Sequence, residues 1–529
     1  MLEPRIKLAS QIKTDSLLDE TAKSVFMPEL TLLERYSEIT NNAQSRHQAE
    51  RIFTNLRDFT DGKIDPWVYS AALLHDVAQR LDDPIESKNA TSVLKTYASW
   101  VSPEQWEFVS SILSDLRLVE ASADTTQHDY LEKESDDELR SLLHPNAEGP
   151  VPLRLWKAPS MIANPQHVLE LMQDVNIESL LLLSARTLDN LNHPAENEAQ
   201  QLQNVFRAES FYAPICEILG YDALAMALRS EASRIRLIKS GNEAFLEVAR
   251  EEITALGDRD QMKSIVSELY AKLIGGDSVD EHAISNKGQH NVVLGESLLI
   301  DPFKGIEELR AVWRVKSEGS LARKIEQQGR KPVDVLGITL ITNTVNELAV
   351  TYWGIVRRLK QSDDIEPKHS ASRDDAFHIR GSGKYLSKVL SGQGSKQVLE
   401  SSELDIKRNR TAAGFQVAKL TAEYIRKTED GEQRIPFEIQ VQTEKDREKS
   451  RVGQASHILY KGREQPSPLE FDYRVLQEIK ARKQMIGRHI AIDSSKERGA
   501  ALRTRVGRSA VRLLFTESHS QPVRRKSKR

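Results

Sequence analysis

Two stretches of this 529-residue chain place side by side residue types that can do chemistry. In SAALLHDV an imidazole, His75, is followed by a carboxylate, Asp76, in an apolar context. With a remote His47 the pair can offer nitrogen and oxygen ligands to a divalent cation. The plainer reading is a helical residue pair satisfied by hydrogen bonds. In PFEIQVQT, Pro436 to Thr443, a period of two puts Phe437, Ile439 and Val441 on one face of a strand and Glu438, Gln440 and Gln442 on the other. That strand has a wet side carrying a carboxylate. A third feature is charge alone. From Ala501 to Arg529 there are nine Lys or Arg against one Glu, ending in VRRKSKR. Such a tail would suit RNA, a ribosome or an acidic partner, but the plainer reading is a solvated terminus.

The elements that must position these groups fall into two kinds. From about Leu30 to Ile238 apolar residues recur every three or four positions, which predicts successive amphipathic helices and an all-α first half. The run from Val168 to Leu188 is apolar round much of its circumference and reads as a central buried helix or helix pair. Glu120 to Pro152, rich in Asp, Glu, Ser and Pro, reads as a surface insertion or loop. Helical spacing resumes over Ala244 to Ile274, stops at Gly275 and Gly276, and the polar sequence that follows reads as a linker. Beyond about Ser285 the period changes. VDVLGITLIT (Val333 to Thr342) and PFEIQVQT are short and β-branched, with a helical segment, Val345 to Leu359, between them. The second half is therefore expected to be α/β or α+β. Gln361 to Arg410, polar and rich in Gly and Ser, reads as a mobile loop or insertion.

With 39% hydrophobic and 29% charged residues the chain is too long for one core and too apolar for general disorder, so several domains are expected. The 74 basic and 78 acidic residues nearly cancel, which removes any global electrostatic case for a nucleic-acid or membrane-surface protein. A single cysteine, Cys216, forms no internal disulfide and anchors no cysteine zinc site. It argues for a reducing compartment, the cytoplasm. No apolar run approaches the roughly 20 residues of a membrane span, and the opening residues lack a signal core.

Longer matches carry a family resemblance. RHQAERIFTNLRDFTDGKIDPWVYSAALLHDV resembles the opening of HD-domain phosphohydrolases, and MQDVNIESLLLLSARTLDNL and SFYAPICEILGY resemble further segments of RelA/SpoT homologues. In the second half WRVKSEGSLARKI, DVLGITLI, AAGFQVAKLTA and FEIQVQTEKDREKSRVGQASHILYKG resemble that family's synthetase motifs, in the order the family has them. The resemblance implies a segment 1–29; an all-α HD-like domain over 30–240 with an insertion near 120–152; a helical linker over 241–285; a nucleotidyltransferase-like synthetase domain over 286–465 with an insertion near 361–410; and a basic tail over 466–529. The regulatory region of longer members is not expected past Lys461.

It also implies chemistry. An HD hydrolase would remove the 3′ pyrophosphate of guanosine tetra- or pentaphosphate with Mn²⁺ on His47, His75 and Asp76. Here Arg186 stands where the family has its fourth ligand, an aspartate, and Gln79 and Arg80 replace an acidic pair. A cation about 4 Å from a doubly charged ion costs roughly 8 kcal/mol at an effective dielectric near 20. The expectation is an inactive hydrolase site with Arg186 paired to Asp76. The synthetase would move pyrophosphate from ATP to the 3′ oxygen of GDP or GTP. The resemblance implies that Arg314, Lys316, Ser320 and Lys324 meet ATP phosphates, that Phe415 stacks on guanine, that Asp334 and Glu438 are the catalytic, Mg²⁺-binding acids, and that Gln440 and His457 complete the site. Departures are Thr339, Lys419, Gln442 and Ala413, with Arg330, Arg357 and Arg410 as candidate replacement cations. The rival expectation is a pseudoenzyme, a nucleotide-sensing or partner-binding scaffold.

Overall fold

The computed structural model describes residues 29–32, 43–60, 64–82, 87–133, 150–157, 171–172, 175–275, 277–284, 293–303, 305–329, 332, 334–359, 361–367, 379–380, 407–408, 418–428 and 431–447. They fall into two compact units. One takes in residues up to 124 and 166–185; the other takes in 125–165 and 186–476.

The first unit is helical. Its elements are α1 (Ala43–Thr60), α2 (Pro66–Gln79), α3 (Ser87–Trp100) and α4, which starts at Pro103 and runs to Lys133. Asp65 starts α2 by accepting from the Trp67 amide at 2.9 Å, with Pro66 in the first turn, where its missing N–H costs nothing. Residues 71 to 78 are all buried, so α2 is enclosed round its circumference. Buried Glu29 accepts from Ser70 Oγ at 2.7 Å and Tyr97 Oη at 3.0 Å, fastening its segment to α2 and α3. The stretch from Glu120 to Lys133 continues α4 where the sequence suggests a loop. Val119 and Ala123 are buried, and Glu120 accepts from Gln79 Nε2 at 3.0 Å, so tertiary packing holds the helix where that stretch begins. Next in sequence come a short α5 (Leu153–Trp156), which belongs to the second unit, and α6 (Ile177–Asn192), which crosses the division after residue 185; Leu180 to Leu183 are buried as the sequence predicts.

The second unit builds a sheet on helices. Helices α7 (Glu198–Arg207), α8 (Ala213–Leu219), α9 (Asp222–Lys239), α10 (Ala244–Thr254) and α11 (Arg259–Leu273) precede the strands, with a π-helical turn, Ala208–Tyr212, between α7 and α8. The strands are β1 (Asp277–Ile284), β2 (Val293–Phe303), β3 (Ile306–Val315), β4 (Leu336–Thr342), β5 (Ile365–Pro367), β6 (Ile379–Arg380), β7 (Lys407–Arg408), β8 (Ala418–Thr428) and β9 (Gly431–Thr443); helix α12 (Glu318–Gln328) lies between β3 and β4, and α13 (Val345–Leu359) follows β4. Seven strands form one sheet in the order β1-β2-β3-β4-β9-β8-β5, with only β4 and β9 parallel, and β6 pairs with β7.

Three features of this unit depart from the sequence reading. DSVDEHAI, expected within a linker, is the edge strand β1. An edge strand pairs through backbone on one side and tolerates polar composition. The expected linker helices α10 and α11 put Leu246, Ala249, Ile265, Leu269 and Leu273 into the same core as the sheet. They are part of the sheet unit. Within the expected insertion, Ile365–Pro367 pairs with β8.

Register explains the two faces of the sheet. Trp313, Ile338, Ile439 and Leu420 lie in one row across β3, β4, β9 and β8, and Ala311, Leu340, Val441 and Ala418 in another. All eight are buried, and α11 and α13 add Ile265, Leu269, Tyr352 and Ile355 to that core. The side-chain period of two turns the rows between them to the other face.

Candidate functional site

Those alternate rows hold the chemistry. Arg314, Gly337, Glu438 and Thr421 form one row; Val312, Thr339, Gln440 and Lys419 form the next. At the end of β4 where the parallel pair β4–β9 begins, a small open cleft is lined by Arg314, Lys316, Asp334, Gly337, Ile338, Thr339, Glu438 and Gln440, with about 330 Å³ of empty space counting its mouth. Gly337 presents no side chain between Arg314 and Glu438, which keeps this part of the floor low.

Asp334 is held between two ammonium groups. Lys316 follows β3, and its amide donates to Val335 O at 2.9 Å, which pins it beside the start of β4. Lys324 comes from α12. Both lysines donate to Asp334 Oδ2, while Oδ1 is buried with no hydrogen-bond partner. Burial works to raise the Asp334 pKa, and the two lysines overcome it and hold the carboxyl below its usual value. Burial, reinforced by Lys324 and opposed by Asp334, pulls Lys316 down to about 8. Glu438, also buried, accepts from Gln440 Nε2 at Oε1 and carries Lys419 Nζ at Oε2 as an ion pair. Four cations, Arg314, Lys316, Lys324 and Lys419, thus face two carboxylates. The surplus of positive charge suits a polyphosphate.

Helix α12 is set closely. A Cβ built on Gly319 would lie 2.0 Å from the Ser230 carbonyl oxygen, so only glycine allows α12 to approach α9. Arg323, next to Lys324, donates to Glu209 Oε1 at 2.8 Å. Ser320 sits on the first turn and accepts from Ser317 Oγ at 3.0 Å.

Of the residues singled out in the second half, Arg314, Lys316, Lys324, Asp334, Glu438 and Gln440 are brought together here, and Ser320 lies on the same helix as Lys324. Phe415, His457, Ala413, Arg330, Arg410 and the basic tail lie outside the described residues. Arg357 is exposed on α13. Lys419, which the resemblance marks only as a departure, is a cleft cation. The β8–β9 register sets it there, opposite Gln440 and two residues along β9 from Glu438, and no local sequence pattern gave that pairing away. Of the other two strand departures, Thr339 lines the cleft and Gln442 is buried.

In the helical unit His47 is exposed on α1. His75 is fully buried, and its Nδ1 lies 2.8 Å from Ala72 O. Arg80, one turn on from Asp76, has its Nε 3.9 Å from the Asp76 Oδ1. Among the described residues no three His, Cys, Asp or Glu side chains are grouped to hold a metal ion. No helix among the described residues is long and apolar enough to cross a membrane.

Residues 313–465 match the family model for the region found in RelA / SpoT proteins. This part of the chain carries the region found in RelA / SpoT proteins. Every residue of the cleft lies within the matched span. A RelA/SpoT region points to guanosine tetra- and pentaphosphate metabolism in general, and so to nucleotide ligands. No curated protein matches the chain.

Proposed function

We propose that the cleft transfers pyrophosphate from ATP to the 3′ oxygen of GDP or GTP. The observation that carries this reading is the gathering of Arg314, Lys316, Lys324 and Lys419 around Asp334 and Glu438 inside the RelA/SpoT region. The 3′ oxygen attacks the β phosphorus of ATP, and an O–P bond forms. The bond from that phosphorus to the α,β bridging oxygen breaks, AMP leaves, and the hydroxyl proton passes to Glu438. Arg314, Lys316 and Lys324 meet the negative charge of the triphosphate, where preformed cations stabilise the transition state.

The donor set fits Mg²⁺. Asp334 offers a buried, unpartnered Oδ1, and Asp334 and Glu438 are both oxygen ligands. They would hold the ion, and it would supply charge neutralisation to the phosphates. We place no activity at the His75 helix, where the imidazole is enclosed. One observation favours the second reading, a nucleotide-binding scaffold without turnover: in the structure both carboxylates carry lysines in ion pairs.

The test is incubation of the protein with ATP labelled at its β and γ phosphates, GDP or GTP, and Mg²⁺, followed by separation of the nucleotides. Labelled tetra- or pentaphosphate that disappears with Glu438→Gln supports transfer. Nucleotide binding without product at high protein concentration supports the scaffold.

A further inference from the structure

The two carboxylates of the cleft are not equally available. Asp334 keeps Oδ1 without a partner. Glu438 keeps neither oxygen open, because Gln440 donates to Oε1 and the Lys419 ammonium sits on Oε2. That contact is an ion pair and not a directed hydrogen bond, since Oε2 accepts none. A cation therefore already occupies the side of Glu438 that a metal ion would need. The Lys419 side chain is 39% exposed and the Glu438 side chain 9% exposed. Glu438 is fixed in the sheet, while the lysine tip has an open route away from it. Lys419 stands in the same row as Thr339 and Gln440, along the floor of the cleft, so a phosphate seated there lies within reach of its long stem.

We propose that Lys419 is a displaceable latch on Glu438: it fills the cation position in the absence of nucleotide, and the polyphosphate of a nucleotide draws it off. The inference rests on the reading of the cleft as a nucleotide site. Its consequence is that a divalent cation and a nucleoside diphosphate bind cooperatively. The metal alone meets the ammonium group, and the nucleotide alone leaves Glu438 without a counter-charge once Lys419 has moved. Linkage makes the gain the same whichever binds first.

The test is Mn²⁺ binding to the whole protein, followed by the loss of the free-ion electron paramagnetic signal, with and without GDP and corrected for Mn²⁺ held by GDP alone. For the native sequence GDP is expected to tighten Mn²⁺ binding at least tenfold. Lys419→Met is expected to bind Mn²⁺ alone at least tenfold more tightly and to lose most of the gain from GDP. Lys419→Arg keeps the native pattern, and adding Glu438→Gln to Lys419→Met abolishes the tighter binding, which locates the ion. Circular dichroism confirms that each variant is folded. A Lys419→Met protein whose metal affinity and GDP gain match the native ones overturns the latch. If neither ATP nor GDP binds the native protein, the proposed function fails, and the metal-only arm of Lys419→Met still decides whether the lysine blocks Glu438.

Discussion

Two carboxylates in the sheet unit are each bracketed by two cations, and helix α12 supplies one cation to each. Glu209, on the π-helical turn, accepts from Arg236 Nε at 2.9 Å and from Arg323 Nη1 at 2.8 Å. Asp334, one residue before the bend into β4, takes Lys316 and Lys324. Around Glu209 the cations are guanidinium groups fixed from several sides. Arg236 also donates to the carbonyls of Leu155 at 3.3 Å and Trp156 at 3.0 Å, and it lies over the Phe206 ring at 4.8 Å. Around Asp334 the cations are ammonium groups on flexible stems, 21% and 25% exposed. A planar, multiply bonded guanidinium builds structure, whereas a lysine beside an open cleft can exchange its carboxylate for a phosphate. Adjacent residues of one helix, Arg323 and Lys324, thus serve the two purposes.

The comparison breaks most visibly if Glu209 is removed. Glu209→Ala leaves Arg236, with a side chain 6% exposed, without its main counter-charge. Loss of one partner of a buried pair costs about 3–5 kcal/mol. Urea unfolding followed by circular dichroism should show a loss of that size, with reduced nucleotide binding because α12 loses its anchor. Asp334→Asn should do the reverse. Its lysines can turn to solvent, so the stability cost is expected near 1 kcal/mol, while pyrophosphate transfer falls about a hundredfold, equivalent to about 2.7 kcal/mol of transition-state stabilisation. A Glu209 variant of native stability, or an Asp334 variant of native rate, would remove the distinction between the two clusters.

Between these lies the packing that keeps Arg323 and Lys324 in place. Gly319→Ala puts a methyl group against the Ser230 carbonyl. The helix must shift, at a cost of about 1–3 kcal/mol for overpacking. The expected result is a lowered urea midpoint together with weaker ATP binding by calorimetry. Loss of stability with unchanged ATP affinity would show that Lys324 does not depend on this contact.

Much of the cleft was legible because its members lie close in sequence or in strand register. Arg314, Lys316 and Lys324 span eleven residues across a strand end and a helix, and the period of two in PFEIQVQT already put Glu438 and Gln440 on one face. Lys419 was not legible as a cleft cation. Its place depends on β8 pairing with β9, a contact between strands that no local pattern specifies. The Glu209–Arg236 pair was equally hidden, although Glu209 stands in the largely apolar segment FRAESFYAPI and Arg236 between Ile235 and Leu237. A charge that the local period places in a core asks for a distant partner. The polar sequences of β1 and of the second half of α4 failed for the opposite reason. Backbone pairing at a sheet edge, and a few buried contacts at the start of a long helix, outweigh composition.

The smallest effect concerns protonation of the open cluster. Lys316 sits near 8, below its ordinary value of 10.5, mainly through burial. A lysine depressed in the folded state is protonated at a cost in stability below about pH 8, and that cost is relieved as pH rises from 8 toward 10.5, where the unfolded chain still holds the proton. Ligand binding runs the other way, because a polyphosphate needs the ammonium form. ATP affinity is therefore expected to fall about tenfold between pH 7 and pH 9, with proton uptake on binding near pH 8, seen as a dependence of the calorimetric enthalpy on buffer ionisation. Lys316→Arg, which stays charged throughout, should flatten both. Asp334 titrates in the opposite sense. Held below its usual value, it contributes stability above the ordinary carboxylate pKa and loses it as pH falls through the depressed one, so Asp334→Asn should narrow its gap to the native protein in acid. Glu209 sits in a comparable charge arrangement but is bracketed by arginines in place of lysines, and Glu209→Ala should leave the fall in ATP affinity between pH 7 and pH 9 in place. A pH profile that follows Glu209 instead of Lys316 would mean that the enclosed cluster, and not the open one, sets the charge of the cleft.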